Sequence, residues 1–461
     1  MEKNKELVRN TIIILLGRFC TQFMSFFLLP LYTNILSSSE YGAYDLIVTY
    51  IALFAPVISL QIEMAIFREL IDSRGDNKKT DSIISSGLFS ILIQFSICFL
   101  IYFLLYAFID IPYGKLILLN TLAVLVSNIF MQIARGLGEN IKYSISSVIS
   151  GVLIILLNII FLVILKLNIA GMIIASILAN IIAAVYLYFS CYLYKRIKYS
   201  NIKKVIAYRL LKYSLPLVPN GLIWWIINVS DRTIISIFLG SGANGIYAVS
   251  NKFSSILMQI FNIFNLSWTE SASVHIKDKD RDEFFSDVFN KTLKYSLAAC
   301  LLLTTTLPFI FNILIDKKYA ESYVYIPILL IGMIFNIIVS FLGSIYVAKK
   351  LTNEIAKTSL GAGILNIIIN LLLIKYIGVY AAAISTVLAF FIMAIFRLID
   401  VQKYVKLRIN SREFYIEFIL FLISLFLYYF HVALLSIVLI FMTIVYVVYQ
   451  IVTIIKKDKM S

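Results

Sequence analysis

Leu36-Ser-Ser-Ser-Glu-Tyr-Gly-Ala-Tyr44 and Leu239-Gly-Ser-Gly-Ala-Asn-Gly-Ile-Tyr247 are two short connections in one chain of 461 residues. Leu36 matches Leu239, Ser38 matches Ser241, Gly42 matches Gly245 and Tyr44 matches Tyr247, each pair 203 positions apart. A second match, Gly171-Met-Ile-Ile-Ala175 with Gly378-Val-Tyr-Ala-Ala382, lies at an offset of 207. Two matches at nearly one offset indicate an internal duplication. Each of the two connections follows one long apolar run and precedes another, so the unit that is duplicated is a set of membrane helices.

The composition requires lipid as solvent. Hydrophobic residues make up 61% of the chain and charged residues only 14%, against about 25% charged in soluble domains. The mean hydropathy is +0.93. A span needs roughly 20 apolar residues, and the runs are long and unbroken, so they read as helices and not as barrel strands. They lie near 12–35, 44–68, 83–108, 115–135, 143–165, 170–194, 213–239, 246–268, 290–314, 324–348, 357–374, 379–399, 413–431 and 433–455. That is about fourteen spans by the window rule. The expected fold is all-α and polytopic: two six-helix lobes related by the repeat, with two helices appended. The corresponding domains are 1–194 (spans one to six), 195–212 (a basic linker), 213–403 (spans seven to twelve) and 404–461 (the last two spans and a tail). Six spans per half is even, so both halves enter the membrane the same way, related by an axis along the membrane normal, with the substrate path expected between them.

The chain carries 40 basic and 25 acidic residues. The excess suggests nucleic acid until its placement is counted. Alternate connections, with the two termini, hold about 32 of the 40 basic residues; the opposite set holds Lys115, Lys166, Lys317, Lys318 and Lys375. By the positive-inside rule both termini are cytoplasmic. The densest connection, Lys195 to Lys212, reads as a linker lying against anionic headgroups. The charge is topological, nucleic acid is not an expected partner, and membrane lipids are. Met1-Glu2-Lys3-Asn4-Lys5 leads straight into a span with no small-residue cleavage site, which reads as a retained first helix.

Little in the chain supports covalent chemistry. Cys20, Cys98, Cys191 and Cys300 lie in or beside apolar runs, and His275 and His431 are far apart, so neither a disulfide nor a metal site is expected. There is no phosphate-binding G-x-x-x-x-G-K-[ST] loop and no H-E-x-x-H. Asp278, Asp280, Asp282, Glu283 and Asp287 alternate with Lys277, Lys279 and Arg281, the pattern of a solvated amphipathic helix. The chain is not expected to be an enzyme, and no catalytic residue is assigned.

Charges inside spans are costly, roughly 2.5–3.5 kcal/mol each on insertion scales, and mark function by default. Arg18 in span one shares a helix face with Gln22 and Ser25. Span two carries Glu63. Span seven carries Asn220, Trp224, Asn228 and Asp231 at matching spacing, then Arg232. Span eight carries Lys252, Ser255, Gln259 and Asn262 on one face. The polar stripes fall on the first helices of both halves, as a water-filled path requires. Bland readings stand beside these: Asp231 and Arg232 as packing charges, Lys252 and Arg18 snorkelling to the interfaces, Glu63 paired with Arg18, and the asparagines as interhelical hydrogen bonds. Arg68, Arg135 and Arg397 end their spans and read as topology anchors. Glu63 and Asp231 are the acids expected well inside spans and the candidates for H+ or Na+ coupling; no other cofactor is expected. By depth, Arg18 and Glu63 lie toward the inner side, and Asp231, Arg232 and Lys252 toward the outer. Pro30, Pro56, Pro216 and Pro219 permit bends in the first helices of both halves.

Several motifs resemble a known family. They are Tyr213-Ser-Leu-Pro-Leu-Val-Pro219, Asp231-Arg232-Thr-Ile-Ile and Gly245-Ile-Tyr-Ala-Val-Ser-Asn-Lys252. With them come Leu28-Leu-Pro-Leu-Tyr-Thr33, Glu40-Tyr-Gly42 and Arg135-Gly-Leu-Gly-Glu-Asn140. In this order the chain is similar to the O-antigen-type oligosaccharide flippases of the multidrug/oligosaccharidyl-lipid/polysaccharide exporter superfamily. The resemblance implies a two-lobed bundle with a cationic cleft, moving undecaprenyl-diphosphate-linked oligosaccharide from the inner to the outer leaflet of a bacterial cytoplasmic membrane by alternating access. It implies headgroup contacts from Arg18, Arg232 and Lys252, flanked by the polar Gln22, Asn228, Gln259 and Asn262, and other polysaccharide-assembly membrane proteins as partners. Competing readings are a multidrug exporter, a lipid-linked peptidoglycan precursor flippase, and a membrane glycan polymerase or ligase. The last usually needs a large outer loop, and the longest outer segment here is about ten residues by the same span count.

This orientation is testable. Single cysteines at Ser39, Ala243 and Glu321 should label from outside intact cells, and those at Asn77, Asn201 and Asn353 should not. Reversal at any one of the six breaks the fourteen-span topology.

Overall fold

The computed structural model describes residues 26–106, 112–430 and 434–445; of residues 105–106, 220–228 and 411–414 only the backbone is described. In chain order the helices are α1 (Leu29–Ile35), α2 (Ser38–Ile58), α3 (Ile62–Asp72), α4 (Asn77–Tyr106), α5 (Gly114–Gly136), α6 (Asn140–Asn158, running on as a π-turn over Ile159–Ile164) and α7 (Asn168–Ser190). They continue with α8 (Lys204–Ser214), α9 (Leu217–Leu239), α10 (Ser241–His275), α11 (Arg281–Leu314), α12 (Ile326–Ala348), α13 (Thr352–Ile377), α14 (Tyr380–Val401) and α15 (Ser411–Phe430). A short apolar helix, α16 (Leu434–Val445), follows. Among the described residues nine helices are long and apolar enough to cross a membrane, and no strand forms. The chain is a multi-pass membrane protein.

Hydrocarbon offers no hydrogen bonds, so polar groups in these helices must be satisfied within the protein. The hydroxyls do this locally. Ser90, Thr121, Thr304, Thr305 and Thr306 each donate to the carbonyl four residues back, at 2.7–2.9 Å. Leucine, isoleucine and phenylalanine cover the outer faces, as in α4, where Leu92, Ile97, Leu100 and Phe103 are exposed. A lipid-facing helix has no reason to hide them.

The chain divides into two compact units, one of Ala43–Trp225 with the chain up to Leu36, the other of Ser37–Gly42 with Ile226 onward. The first is built on a core of Ile62, Ile66, Ile83, Ile84, Ile133 and Leu187, with Leu193 and Leu210 from the connection after α7 packed into it. The second is built around α12, whose residues are buried along nearly its whole length. Trp268 of α10 stacks on Phe341 of α12, ring centres 4.4 Å apart. The appended α15 packs on the second unit: Tyr428 stacks on Tyr323 at 4.1 Å, and Thr304 and Ser424 share a hydrogen bond of 2.8 Å.

The first repeat match occupies equivalent places. α2 starts at Ser38 and α10 at Ser241, and within the second unit these two N-terminal turns pack on each other. A Cβ on Gly42 would collide with the Ser241 carbonyl, and one on Gly245 with the Ser38 carbonyl. Matched residues thus meet as matched partners, and only glycine permits the approach. Asn244 closes the contact by donating to the Gly42 carbonyl at 2.8 Å. In the second match both glycines stand where a helix opens: Gly171 in the first turn of α7, and Gly378, with φ +58°, two residues before α14.

Two expectations are corrected. Span two is not one helix. Gln61 N donates to the Pro56 carbonyl and Leu60 N to the Val57 carbonyl, at 3.1 and 3.2 Å, a Schellman closure that ends α2 at Ile58, four residues before α3 starts at Ile62. Nor is Arg397 an anchor at a span end. It is 2% exposed, donating to the Val339 carbonyl at 2.9 Å, to Thr358 Oγ1 at 2.7 Å and to Ser359 Oγ at 3.2 Å. Its guanidinium ties α12, α13 and α14 together in a space that Gly343 leaves open, where a Cβ would approach it to 3.1 Å.

Candidate functional site

Pro216 stands just before α9 and Pro219 in its first turn, and the helix runs from Leu217 to Leu239. Its last turns carry Asp231, which points into the second unit and is 4% exposed. Three donors from three other helices reach the carboxylate. Thr386 Oγ1 donates to Oδ2 at 2.6 Å, Asn370 Nδ2 to Oδ1 at 2.8 Å and the Tyr247 hydroxyl to Oδ2 at 3.1 Å. With the Asn366 amide turned so that its nitrogen faces Asp231, a fourth donor reaches Oδ1 at 3.1 Å, and the Asn366 oxygen then accepts from the Thr386 backbone N–H at 3.3 Å. Asn370 Oδ1 is buried without a hydrogen-bond partner among the described residues. The cluster therefore places a carboxylate beside neutral amide, hydroxyl and phenol oxygens, a donor set of the kind hard cations take. It also links α9, α10, α13 and α14 through one group.

Arg232 is half-buried beside Asp231. On α10, Phe253, Leu257, Phe261 and Trp268 are buried. Lys252, Ser255 and Gln259 are half-buried and Asn262 is exposed, on a polar face set apart from that core. Asn265, one step further on, accepts from Ser344 Oγ at 3.1 Å. The predicted stripe of span eight is thus present as a face. Arg18 and Gln22 lie outside the described residues. Asn228 falls in α9, with its side chain outside them too.

In the first unit Glu63 occupies the first turn of α3, where a helix N-terminus favours a negative charge. Its Oε2 is shielded from solvent and has no hydrogen-bond partner among the described residues. The break just before it is held by two consecutive non-glycine residues in the left-handed region, Leu60 at φ 48° and Gln61 at φ 53°, a conformation that costs of order 1–3 kcal/mol per residue. Gln61 Nε2 donates to the Leu217 carbonyl in the first turn of α9, at 3.1 Å. Sequence reasoning pointed to Pro56 as a bend and missed the break itself. It also missed Asp45, a buried acid of α2, and the partners of Asp231. Asn366 and Asn370, four residues apart in an otherwise apolar run, were the legible signal for those partners. No group of three His, Cys, Asp or Glu side chains with metal-binding geometry occurs among the described residues.

A buried carboxylate in a helical membrane unit, beside a helix with a polar and basic face, is a transporter's equipment. The family model described as "Polysaccharide biosynthesis protein" matches residues 7–268, more than half of the chain. The chain belongs to the polysaccharide biosynthesis protein family. No curated protein matches this family member. Among solved structures it is similar to an inward-facing multidrug resistance MATE family transporter of the MOP superfamily, with TM-score 0.69 at 11% identity over 86% of this chain and 98% of that one. It is similar to an outward-facing MATE transporter of the same superfamily, with TM-score 0.63 at 11% identity over 87% and 95%. It is also similar to the lipid II flippase MurJ in an inward closed conformation, with TM-score 0.69 at 17% identity over 98% and 100%. These likenesses show the fold, which this chain shares with those transporters and with that flippase.

The cluster makes a measurable demand. Thr386→Val removes the shortest hydrogen bond to Asp231 and should lower stability by about 1–2 kcal/mol, seen as a fall in the Tm of the purified protein. In a double-mutant cycle with Asp231→Asn, the combined loss should fall short of the sum by about 0.5 kcal/mol or more. Strictly additive losses would mean that Thr386 does not hold Asp231.

Proposed function

We propose that this protein flips a lipid-diphosphate-linked oligosaccharide, of the undecaprenyl type, from the inner to the outer leaflet of a bacterial cytoplasmic membrane, with both termini in the cytoplasm. The observation that carries the reading is the sign of the charges that reach the surface on α9 and α10. Asp231 is turned inward and engaged by its donors, whereas Arg232 and Lys252 are half-exposed, with Gln259 and Asn262 further along α10. Such a face suits an anion. An organic cation would call for an acid there.

A diphosphate cannot enter hydrocarbon unaided. Guanidinium and ammonium groups offer it charge-assisted hydrogen bonds, and neutral amides suit the hydroxyls of sugars, while the lipid tail stays in the bilayer. Arg232 and Lys252 are the contacts in the second unit, and Arg18 of the first span is the corresponding contact in the first. The ion gradient acts at Asp231, with Glu63 as the second acid. Asp231, Asn370 Oδ1, Thr386 Oγ1 and Asn366 would hold a proton or a sodium ion, and the positive charge would neutralise the carboxylate. The donors that now face Asp231 would then turn away from it, changing how α9 is held to α13 and α14. Alternating access follows if that rearrangement is coupled to headgroup binding.

A lipid-linked peptidoglycan precursor is the second reading, because the lipid II flippase is matched over 98% of this chain, against 86% for the inward-facing MATE transporter. Vesicles containing the purified protein separate the readings when loaded in parallel with labelled undecaprenyl-diphosphate oligosaccharide, lipid II or an organic cation. The oligosaccharide should be flipped in preference to the other two. Arg18→Ala, Arg232→Ala and Lys252→Ala should each reduce flipping about tenfold, the loss expected for one charge-assisted hydrogen bond, and Arg18→Lys should retain part of the activity. Wild-type binding and flipping in all three alanine variants, or a preference for lipid II or the cation, would refute the proposal.

A further inference from the structure

The connection from α7 to α9 carries seven basic residues between Cys191 and Ser214, and the structure sorts them into two groups. Arg196 pairs with Asp81 at 3.0 Å and Arg209 with Glu69 at 2.8 Å. The backbone of the connection is fastened to α4: Lys198 N donates to Ser85 Oγ at 3.2 Å and Lys203 N to Ser86 Oγ at 2.9 Å. Leu193 and Leu210 are fully buried in the first unit's core. The connection is thus a fixed strap, not a loose tether. The other five basic residues, Lys195, Lys198, Lys203, Lys204 and Lys212, are exposed and form no ion pair with any described residue. Lys195 lies over the rings of Tyr192 and Tyr194, at 5.3 and 5.7 Å.

Apolar side chains stand out among these lysines. Tyr199 is 87% exposed, Val205 80% and Tyr208 69%. Val205, Tyr208 and Lys212 recur at helical spacing on the side of α8 opposite the buried Leu210 and Ser214. Water alone does not favour such a face. Its depth is informative. Ser85 and Ser86 lie eight and nine residues into α4, about 12–13 Å from its first residue at 1.5 Å per residue. The strap therefore runs along the flank of α4, where the polar turn Asn77–Asp81 gives way to the apolar run from Ile83, and not across its tip. That level is where a span leaves hydrocarbon for headgroups.

We propose that the outward face of this strap is a docking surface for anionic phospholipid, with Tyr199, Val205 and Tyr208 at the headgroup–acyl boundary and the five lysines on lipid phosphates. The aromatic and aliphatic groups favour that boundary, and the lysine stems reach past them to the charged layer. The inference rests on the orientation proposed above only in naming the inner leaflet.

The test uses the full-length protein in vesicles of phosphatidylcholine and phosphatidylglycerol. An environment-sensitive fluorophore is placed on Tyr208→Cys, or independently on Val205→Cys, in a background without the native cysteines, and a nitroxide is carried on one lipid class at a time. Phosphatidylglycerol should quench at both sites about twofold or more over phosphatidylcholine, the preference expected from clustered lysines. Changing the five lysines to glutamine should bring the two lipids to parity. Equal quenching by both lipids in the otherwise native strap would overturn the proposal, as would a preference that survives loss of the lysines. Quenching no greater than at a control label on Asn353→Cys would overturn it too, and would leave water or a protein partner as the neighbour of this face. Quenching is read without transport, so failure of the flippase reading leaves this result intact, and the reverse also holds.

Discussion

A carboxylate inside a membrane unit must find every one of its hydrogen-bond partners in the protein, and Asp231 shows how far that requirement organises the second unit. Thr386, Asn370, Tyr247 and Asn366 converge on it from α14, α13 and α10. In water such bonds would compete with solvent; in hydrocarbon the competing state is an unsatisfied group, which holds the set together. Arg397 repeats the logic toward the other end of α14, with carbonyl and hydroxyl oxygens in place of a counter-ion. Two buried charges of opposite sign, each satisfied by neutral groups, thus tie α13 and α14 at two levels, Asp231 to α9 and α10 and Arg397 to α12. Any process that changes the charge at Asp231 acts on that packing.

The first unit places its polar features differently. Its acid, Glu63, sits just past a helix break that is held open by two strained residues, and the strap Cys191–Ser214 is fastened to the same core. A broken span exposes backbone groups and a helix terminus at depth, which membrane proteins tolerate only where protein or a water-filled path covers them. The break and the strap give the first unit its own places to bend and to hold.

The helical, multi-pass architecture was legible because it follows from long-range composition, and the match of Leu36–Tyr44 with Leu239–Tyr247 because backbone contact demands glycine at Gly42 and Gly245. Asp231 and the Lys252 stripe were legible because a charge in an apolar run is conspicuous. Three features were not. The partners of Asp231 lie 16 to 155 positions away, and no local pattern announces which asparagine meets which carboxylate. The end of α2 uses leucine and glutamine where a glycine would have signalled a left-handed turn. Arg397, at the end of an apolar run, looks like an interface anchor by position, and only the acceptors of α12 and α13 bring it inside.

We propose above that the ion gradient acts on the Asp231 cluster. The most direct test of this is the Tm of the purified protein, measured against sodium concentration at fixed pH and against pH without sodium, for the native protein and for Asp231→Asn. A cation that binds the folded state stabilises it by mass action, by about 2.7 kcal/mol at a hundred times its Kd. The native protein should gain stability with one of the two cations, and Asp231→Asn should lose that response while remaining folded. An equal response in both proteins, or none in the native one, would contradict the account.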